Sequence, residues 1–479
     1  MNSRTPTGTG PKPAAFGQAL LSLQSFRIVH CYYIAFIGDI STITVIRMMN
    51  TKYVRDHLDE IRRAVKDRHS GFPLDELLAL DEKWRRMRTD LQELQSKRNR
   101  ASLEISDAKK AGKDVKDMIS ALADLKSKID RSETEISTCE TKIDSMILNV
   151  PNVLDGSVPI GMPPEANRTI KTWGKINRPN GPSHVEVLSK LGLLDEERAA
   201  KVAGSRFFYL RGDLALLEHA LTRYAIDKMC KKGYILISPP YMIKKRYYKG
   251  VAPLGVFEDA LYSASEAKEA TAKKEYEHVE EELFMISTAE HPLAAMHADE
   301  TFSGASLPIK YVGFSPSFRR EAGSHGKDTK GIFRVHQFNK VEQFIYCKRE
   351  DEQKYFDELL ANSEEIMQEL GLPYRLVLLS SGDTGHQMCK TVDWEGWFPS
   401  QGDYRELGSC STAGEWQSLR LDIRYDDKGE RKYVRTLNST AVSIQRSLAC
   451  IVENYANDDG SISVPEVLVP YMGKDRISK

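Results

Sequence analysis

No two cysteines in this 479-residue chain are spaced as CxxC; Cys31, Cys139, Cys230, Cys347, Cys389, Cys410 and Cys450 are scattered along it. That spacing excludes a zinc cluster or a disulfide framework and fits free thiols in a reducing compartment. Neither G-x-x-x-x-G-K-[ST] nor a strand-following G-x-G-x-x-G occurs, which excludes the common phosphate-loop folds. A clean run of about 20 apolar residues is also missing, so no segment reads as spanning a bilayer. The nearest approach, residues 17–47, is interrupted by Arg27, His30 and Asp39. Excess charge is lacking as well: Lys plus Arg and Asp plus Glu both total 68. A nucleic-acid partner would therefore have to be held by a local patch, because the protein as a whole does not attract phosphate. No internal repeat stands out. What remains, 41% hydrophobic and 28% charged, is the composition of a soluble globular protein long enough for two or three domains.

The first 48 residues differ in character from the rest of the chain. Residues 1–16 are rich in Gly, Pro, Ser and Thr, and no acidic residue precedes Asp39. A transit peptide leading to an organelle is one reading of that composition. The preferred reading is a mis-assigned start, since Met48 and Met49 stand immediately before the first well-patterned segment, 50–68. Residues 1–48 read as an extension of uncertain standing.

From Leu77 a heptad begins. Leu77, Trp84, Leu91 and Ile105 share one position and Leu80, Met87, Leu94 and Ala101 the other. A second run places Leu122, Ile129, Ile136 and Ile143 at one position, with Leu125, Cys139 and Met146 at the other. Apolar residues every 3.5 positions make a seam that only another helix can cover. The polar segment 106–114, with Gly112, separates the runs, so an antiparallel helical hairpin is expected. With about 30 residues a side it projects roughly 45 Å. Heptads most often serve oligomerisation, but the charge pattern points elsewhere. Between Lys97 and Lys116 seven basic residues (97, 98, 100, 109, 110, 113 and 116) face three acids, Glu104, Asp107 and Asp114. Such an excess near the tip suits a phosphate backbone.

Pro151 ends the second helix, and six prolines mark 151–190 as a linker. Beyond it a helix is expected over 214–232, then strands at 234–237, 283–286, 332–336, 342–347 and 374–379. They follow one another in hairpin-like succession, which predicts an antiparallel sheet flanked by helices, an α+β body. The domain reading is thus an extension (1–48), a helical arm (49–150), a linker (151–190) and a body (191–479).

Four residue sets carry chemistry. In the densest, Phe318-Arg319-Arg320-Glu321-Ala-Gly-Ser and Gly331-Ile-Phe-Arg334-Val335-His-Gln-Phe338 precede Lys340-Val-Glu342. Two strand-like segments joined by a loop each offer arginine, an aromatic and a carboxylate. Arginine forks match phosphate oxygens two at a time, an aromatic face takes a purine, and a carboxylate takes an amine. The plain alternative is a charged hairpin whose Arg and Glu pair across strands. In the second set, Leu437-Asn-Ser-Thr440-Ala-Val-Ser-Ile-Gln-Arg446 reads as strand, turn and helix start. In the third, Tyr404-Arg-Glu406-Leu-Gly-Ser409 offers an acid and a hydroxyl to a phosphate-bridging magnesium ion. In the fourth, Thr288-Ala289-Glu290 lies just past a strand. His291, His325 and His336 lack metal-ligand spacing and read as packing or surface residues.

Taken together and in this order, the four sets resemble the seryl-tRNA synthetase family, from about Met49 to the C-terminus. Gly233-Tyr234 through Pro239-Pro240 resembles class II motif 1, the Phe318–Phe338 sets motif 2, Leu437 to Arg446 motif 3, and Thr288-Ala289-Glu290 the serine-reading loop. The resemblance implies a class II body behind a coiled-coil tRNA-binding arm, a homodimer joined at motif 1, and a cytoplasmic ligase, or an organellar one if residues 1–48 are a transit peptide. It implies ATP, Mg2+, L-serine and tRNA(Ser) as cofactors and substrates, with tRNA(Sec) also charged where present. By the same resemblance, Arg319 holds the α-phosphate and serine carboxylate and Arg446 the γ-phosphate, as the two catalytic residues. Glu321 and the backbone at Val335 meet adenine, Phe338 stacks on it, and Arg320 and Arg334 join the ATP set. Glu406 and Ser409 lie by the metal-bound phosphates. Thr288, Ala289, Glu290, Glu342 and Thr440 surround serine, while Lys97, Arg98, Arg100, Lys109, Lys110 and Lys113 face tRNA. Two departures are local: the family often has a small residue where Arg320 stands, and Gln445 before Arg446 is unusual. A catalytically silent relative would lose motif arginines that are present here. A carrier-protein ligase would lack the arm.

Overall fold

Spacing of the apolar residues decides the first element pair, and the computed structural model, which describes residues 51–253, 260–264, 282–321 and 330–479, carries it through. Two short helices, Thr51–Asp56 and Leu58–Asp67, lead into α1 (Leu74–Lys110) and α2 (Lys116–Ile147). Leu77, Leu91 and Ile105 of α1 and Ile129, Ile136, Cys139 and Ile143 of α2 are buried along the shared seam. The connection is shorter than the expected 106–114. Nothing breaks α1 until Gly112, whose φ of 70° makes the turn. The expected extension 1–48 lies outside the described residues, as does His325.

At its base the hairpin is built into the body. Leu77, Cys139, Ile143 and Ile147 join Val54, Ile61 and Val150 in one cluster with Trp416 and Leu419. Two arginines latch the crossing. Arg420, fully buried, lies 3.4 Å over the Trp416 ring and donates to the Ile147 carbonyl at 3.1 Å. Arg68 donates to the carbonyls of Asn152 and Thr384, each at 2.9 Å. Asn152 in turn donates to the carbonyls of Gln387 and Ala413 at 2.8 Å each.

An eight-stranded sheet forms the body. Its strands are β1 (Arg168–Trp173), β2 (Ile235–Ile237), β3 (Ile309–Phe318), β4 (Gln337–Cys347), β5 (Tyr374–Leu378), β6 (Lys390–Phe398), β7 (Asp403–Gly414) and β8 (Arg435–Ser443), in the order β1-β5-β6-β7-β8-β4-β3-β2. Every pairing is antiparallel except β2 with β3. Helices α3 (Asp213–Lys231), α4 (Glu352–Glu369) and α5 (Ile444–Tyr455) bury their apolar faces in the same core as the strands. This is the α+β body expected from the strand succession.

Three expectations need correction. The stretch 151–190 is more than a linker, because its β1 hydrogen-bonds along β5 at the sheet edge. Residues 332–336 are not a strand: they run through turns, and the ladder starts at Gln337. Gly331 at φ 78° begins those turns, and a Cβ there would come within 2.3 Å of His184 Nε2. Between the second set's strand and its helix no turn intervenes, since β8 ends at Ser443 and α5 begins at Ile444.

Candidate active site

Alternation along a strand puts Phe338, Lys340 and Glu342 of β4 on one face, and the neighbouring strands bring the other sets to it. Phe318 pairs with Gln337, which carries Arg319, just past β3, over Phe338 with its guanidinium 5.1 Å from the ring. The Arg319 backbone N–H donates to the His336 carbonyl at 2.9 Å, fixing the base of the motif 2 turn. β8 lies on the other side of β4, and Thr440 is the register partner of Glu342. Glu406 and Ser409 come from β7, and Arg446 from the first turn of α5. Arg319, Glu321, Arg334, Val335, Phe338, Lys340, Glu406, Ser409, Thr440 and Arg446 line one cleft. Arg320 stands exposed beside it, its backbone N–H donating to Ala260 at 2.9 Å. The residues 322–329 between the two halves of motif 2 lie outside the described residues.

Opposite charges hold the cleft in shape. Arg446 Nη1 reaches the Glu406 carboxylate at 3.1 Å, and its Nε donates to the Phe333 carbonyl at 3.4 Å. Arg334 Nη1 meets Glu321 Oε2 at 3.1 Å. Glu321 itself has φ 48°, an unusual conformation for a residue with a side chain, and marks a sharp bend where the loop leaves Arg319. The Arg446 guanidinium holds the Glu406 carboxyl below the usual range, while desolvation and the neighbouring Arg446 lower the Arg319 pKa.

Next to this cleft, Thr288, Glu290, His291, Arg319, Glu321 and Gln387 border a cavity of about 290 Å³. Thr288 and Glu290 come after the short strand Leu283–Met285, where the sequence pattern places them. The Thr288 hydroxyl accepts from the Glu290 backbone at 3.2 Å and from Lys340 Nζ at 3.3 Å. Lys340 also forms an ion pair with Glu342. Glu342 is fully buried, and its Oε1 has no hydrogen-bond partner among the described residues. Burial raises its pKa. Burial and the nearby Glu342 push Glu290 up to about 7, while burial and Arg319 push His291 down to about 3. Gln417 Nε2 donates to Glu290 Oε1 at 2.9 Å. Ala289, fully buried, packs under the loop against β3.

Three contributors escape sequence reasoning. Lys340 carries no motif role of its own, although it bridges the Thr288 and Glu342 sets. Asp393 of β6 lies opposite Ser409, and burial together with Glu406 holds its carboxyl well above the usual range. The unusual Gln445 accepts from the Asn339 backbone at 2.6 Å and donates to Glu218 at 2.7 Å, tying α5 to β4 and α3. Only the β6–β7 pairing, not any motif, brings Asp393 to notice.

Chemically, this is two arginines and an aromatic face beside a buried acidic pocket, with the Glu406 carboxylate and the Ser409 hydroxyl at the rim. Among the described residues no helix is long and apolar enough to cross a membrane, and no cluster of three or more His, Cys, Asp or Glu has metal-site geometry. Residues 48–154 match the seryl-tRNA synthetase N-terminal domain and residues 273–455 the tRNA synthetase class II core domain (G, H, P, S and T). A serine--tRNA ligase of Thermococcus sibiricus is 40% identical over 453 residues, covering 89% of this chain and 96% of that protein. The crystal structure of seryl-tRNA synthetase from Pyrococcus horikoshii complexed with ATP superposes with a TM-score of 0.78 at 37% identity, covering 90% of this chain and 99% of that one. The cytoplasmic serine-tRNA ligase from Naegleria fowleri in complex with AMP gives 0.75 at 34%, with the same coverage. With both halves matched and the motif residues assembled in one cleft, the chain belongs to the seryl-tRNA synthetase family.

Proposed function

We propose that this ligase activates L-serine with ATP in the cleft between β4, β7 and α5 and passes it to tRNA(Ser) held by the arm. The observation that carries the reading is the convergence of Arg319, Phe338, Glu406 and Arg446 beside the cavity bordered by Thr288 and Glu290, with Glu342 buried close to Glu290. Adenine is sandwiched between Phe338 and the residues near Glu321 and Val335, with Arg320 and Arg334 at the phosphates. The serine carboxylate attacks the α-phosphorus in line, an oxygen–phosphorus bond forms, and pyrophosphate leaves with its electron pair. No side chain has to act as a base, because the attacking carboxylate is already ionised at neutral pH. Arg319 and Arg446 stabilise charge on the α- and γ-phosphates, and the fold supplies positioning. The terminal hydroxyl of tRNA then attacks the adenylate carbonyl and AMP leaves.

Glu406 and Ser409, with Asp393 beside them, are the oxygen donors that fit a magnesium ion travelling with ATP. The lowered pKa of Glu406 keeps it ionised for that purpose. When bound, the ion neutralises phosphate charge. The open Oε1 of Glu342 fits an ammonium or hydroxyl donor, and leaving it or Thr440 unpaired would reject alanine. Thr288, Ala289 and Glu290 form the opposite wall. On the arm, Lys97, Arg100, Lys109, Lys110 and Lys113 are exposed and Arg98 half-exposed, as phosphate-facing cations must be.

A homodimer is supported by Ile235 and Leu236 on edge strand β2, which are 57% and 47% exposed within motif 1. A cytoplasmic location is supported by six free thiols among the described residues. ATP–pyrophosphate exchange with each amino acid in turn tests the reading. Exchange is expected with serine; exchange driven better by another amino acid would overturn it.

A further inference from the structure

Threonine differs from serine by one methyl group, and a pocket that binds a hydroxyl cannot reject it by hydrogen bonding. Rejection needs a wall that does not recede. Beside Thr440 the body keeps an arrangement to which the roles assigned above give no part, although Gly408 itself borders the cleft. Gly408 of β7 is the register partner of Trp394 of β6. A Cβ on Gly408 would sit 2.5 Å from Cζ2 of the Trp394 indole and 2.7 Å from the Thr440 Cβ. Backbone conformation is not the reason for this glycine, since Gly408 is absent from the positive-φ positions. The reason is close approach from two sides.

The same spot carries a second anomaly. Trp394 is 1% exposed, and its Nε1–H has no acceptor among the described residues. A buried donor without a partner is destabilising, and so is a glycine inside a strand. Two such local penalties side by side, directly behind a pocket wall, point to shape as what the arrangement provides. The Thr440 main chain is also held, its carbonyl accepting from Ser363 Oγ at 2.8 Å. Its side chain therefore stands between Glu342, its register partner, and the indole.

We propose that Trp394, seated over Gly408, is a positioning residue that holds Thr440 in place and so sets the upper size limit of the amino-acid pocket, excluding threonine. The inference rests on Thr440 belonging to the serine pocket. Removing the indole lets Thr440 recede and admits the extra methyl. Adding a side chain at 408 drives Thr440 toward the substrate. Doing both restores the spacing.

Pyrophosphate exchange with serine and with threonine, at saturating ATP, tests this on the full chain. Trp394→Leu is expected to lower the serine-to-threonine ratio of kcat/KM by about tenfold or more, mainly through a gain with threonine. Trp394→Phe, which keeps a flat ring, should lose less. Gly408→Ala is expected to raise the serine KM by about tenfold, well beyond its effect on the ATP KM, and the Gly408→Ala/Trp394→Leu double variant should recover part of it. That recovery is what a merely structural role would not produce, and with Trp394→Phe it decides the matter even if Trp394→Leu does not fold. Thr440→Val separates the two levels. A raised serine KM in Thr440→Val, with the ratio unchanged in every folded Trp394 variant and no recovery in the double, overturns this inference alone. A serine KM untouched by Thr440→Val overturns the pocket assignment and this inference with it.

Discussion

The arm and the cleft use the same residue types under opposite conditions. On the hairpin, lysines and arginines stand in water, so each acts at a distance, is screened by salt and is replaceable by its neighbours. In the cleft, Glu290 and Glu342 are buried and Arg319 half-buried beside them, and desolvation moves their protonation equilibria. There the position of a group decides its effect, and loss of one leaves a partner uncompensated. Comparing them shows why a net charge of zero says little: the basic excess on the arm is a local surface property, whereas the cleft depends on geometry.

The sharpest break in the comparison is a single half-buried cation. Arg446→Ala is expected to reduce serine-dependent pyrophosphate exchange by about 10²–10³-fold, with circular dichroism and Tm close to those of the parent. Near-normal exchange in that folded variant would take Arg446 out of the site.

Removing the outer arm should separate the two half-reactions. Excising residues 95–125 and closing the gap with a short loop leaves intact the basal cluster around Trp416. Exchange should then stay within about twofold, while tRNA charging falls by about a hundredfold or more. Unchanged charging would make the arm an assembly device instead.

Changing Lys97, Arg98, Arg100, Lys109, Lys110 and Lys113 to Gln is gentler. The slope of log affinity for tRNA against log salt should flatten by about 0.9 for each duplex phosphate that is no longer neutralised. Serine and ATP KM should not move. An unaltered slope in filter binding would show that these side chains only solvate the hairpin.

The smallest effect lies in the pocket and depends on pH. The Glu290 carboxyl is raised from an ordinary 4.5 to about 7. Between those values the folded chain holds a proton that the unfolded chain has lost, so the contribution of this group to stability falls as pH rises through that window. Glu290→Gln imitates the protonated form and removes the dependence. The Tm of the variant should gain on that of the parent between about pH 5 and 7.5, by the equivalent of at most about 3 kcal/mol. A pH-independent gap would mean that Glu290 titrates normally.

The arm is the most legible part because a heptad is written in the chain itself, and each seam residue needs only its own helical neighbours to be recognised. Strand succession reveals the sheet for the same local reason. Residues 332–336 mislead because Ile, Phe and Val look strand-like, while the turn is imposed by Gly331 against His184, a contact 147 residues distant in sequence. β1 is hidden in a proline-rich stretch whose strand becomes visible only beside β5. In the cleft, motif residues can be named by resemblance, but the Lys340 bridge, the Asp393–Ser409 pairing and the Trp394–Gly408 contact are products of register between strands. A one-residue slip would abolish each of them.

The two ends of the hairpin leave the body from one cluster, Leu77 beside Cys139 and Ile143 on Trp416, latched by Arg68 and Arg420. An insertion anchored that way can change length without asking anything of the sheet beneath it. One heptad added to each helix would carry the tip about 10 Å farther out and leave seam, latch and catalytic cleft untouched. The reach of the arm is therefore set by the number of heptads alone, and the distance from its basic tip to the cleft can change without any change in the sheet.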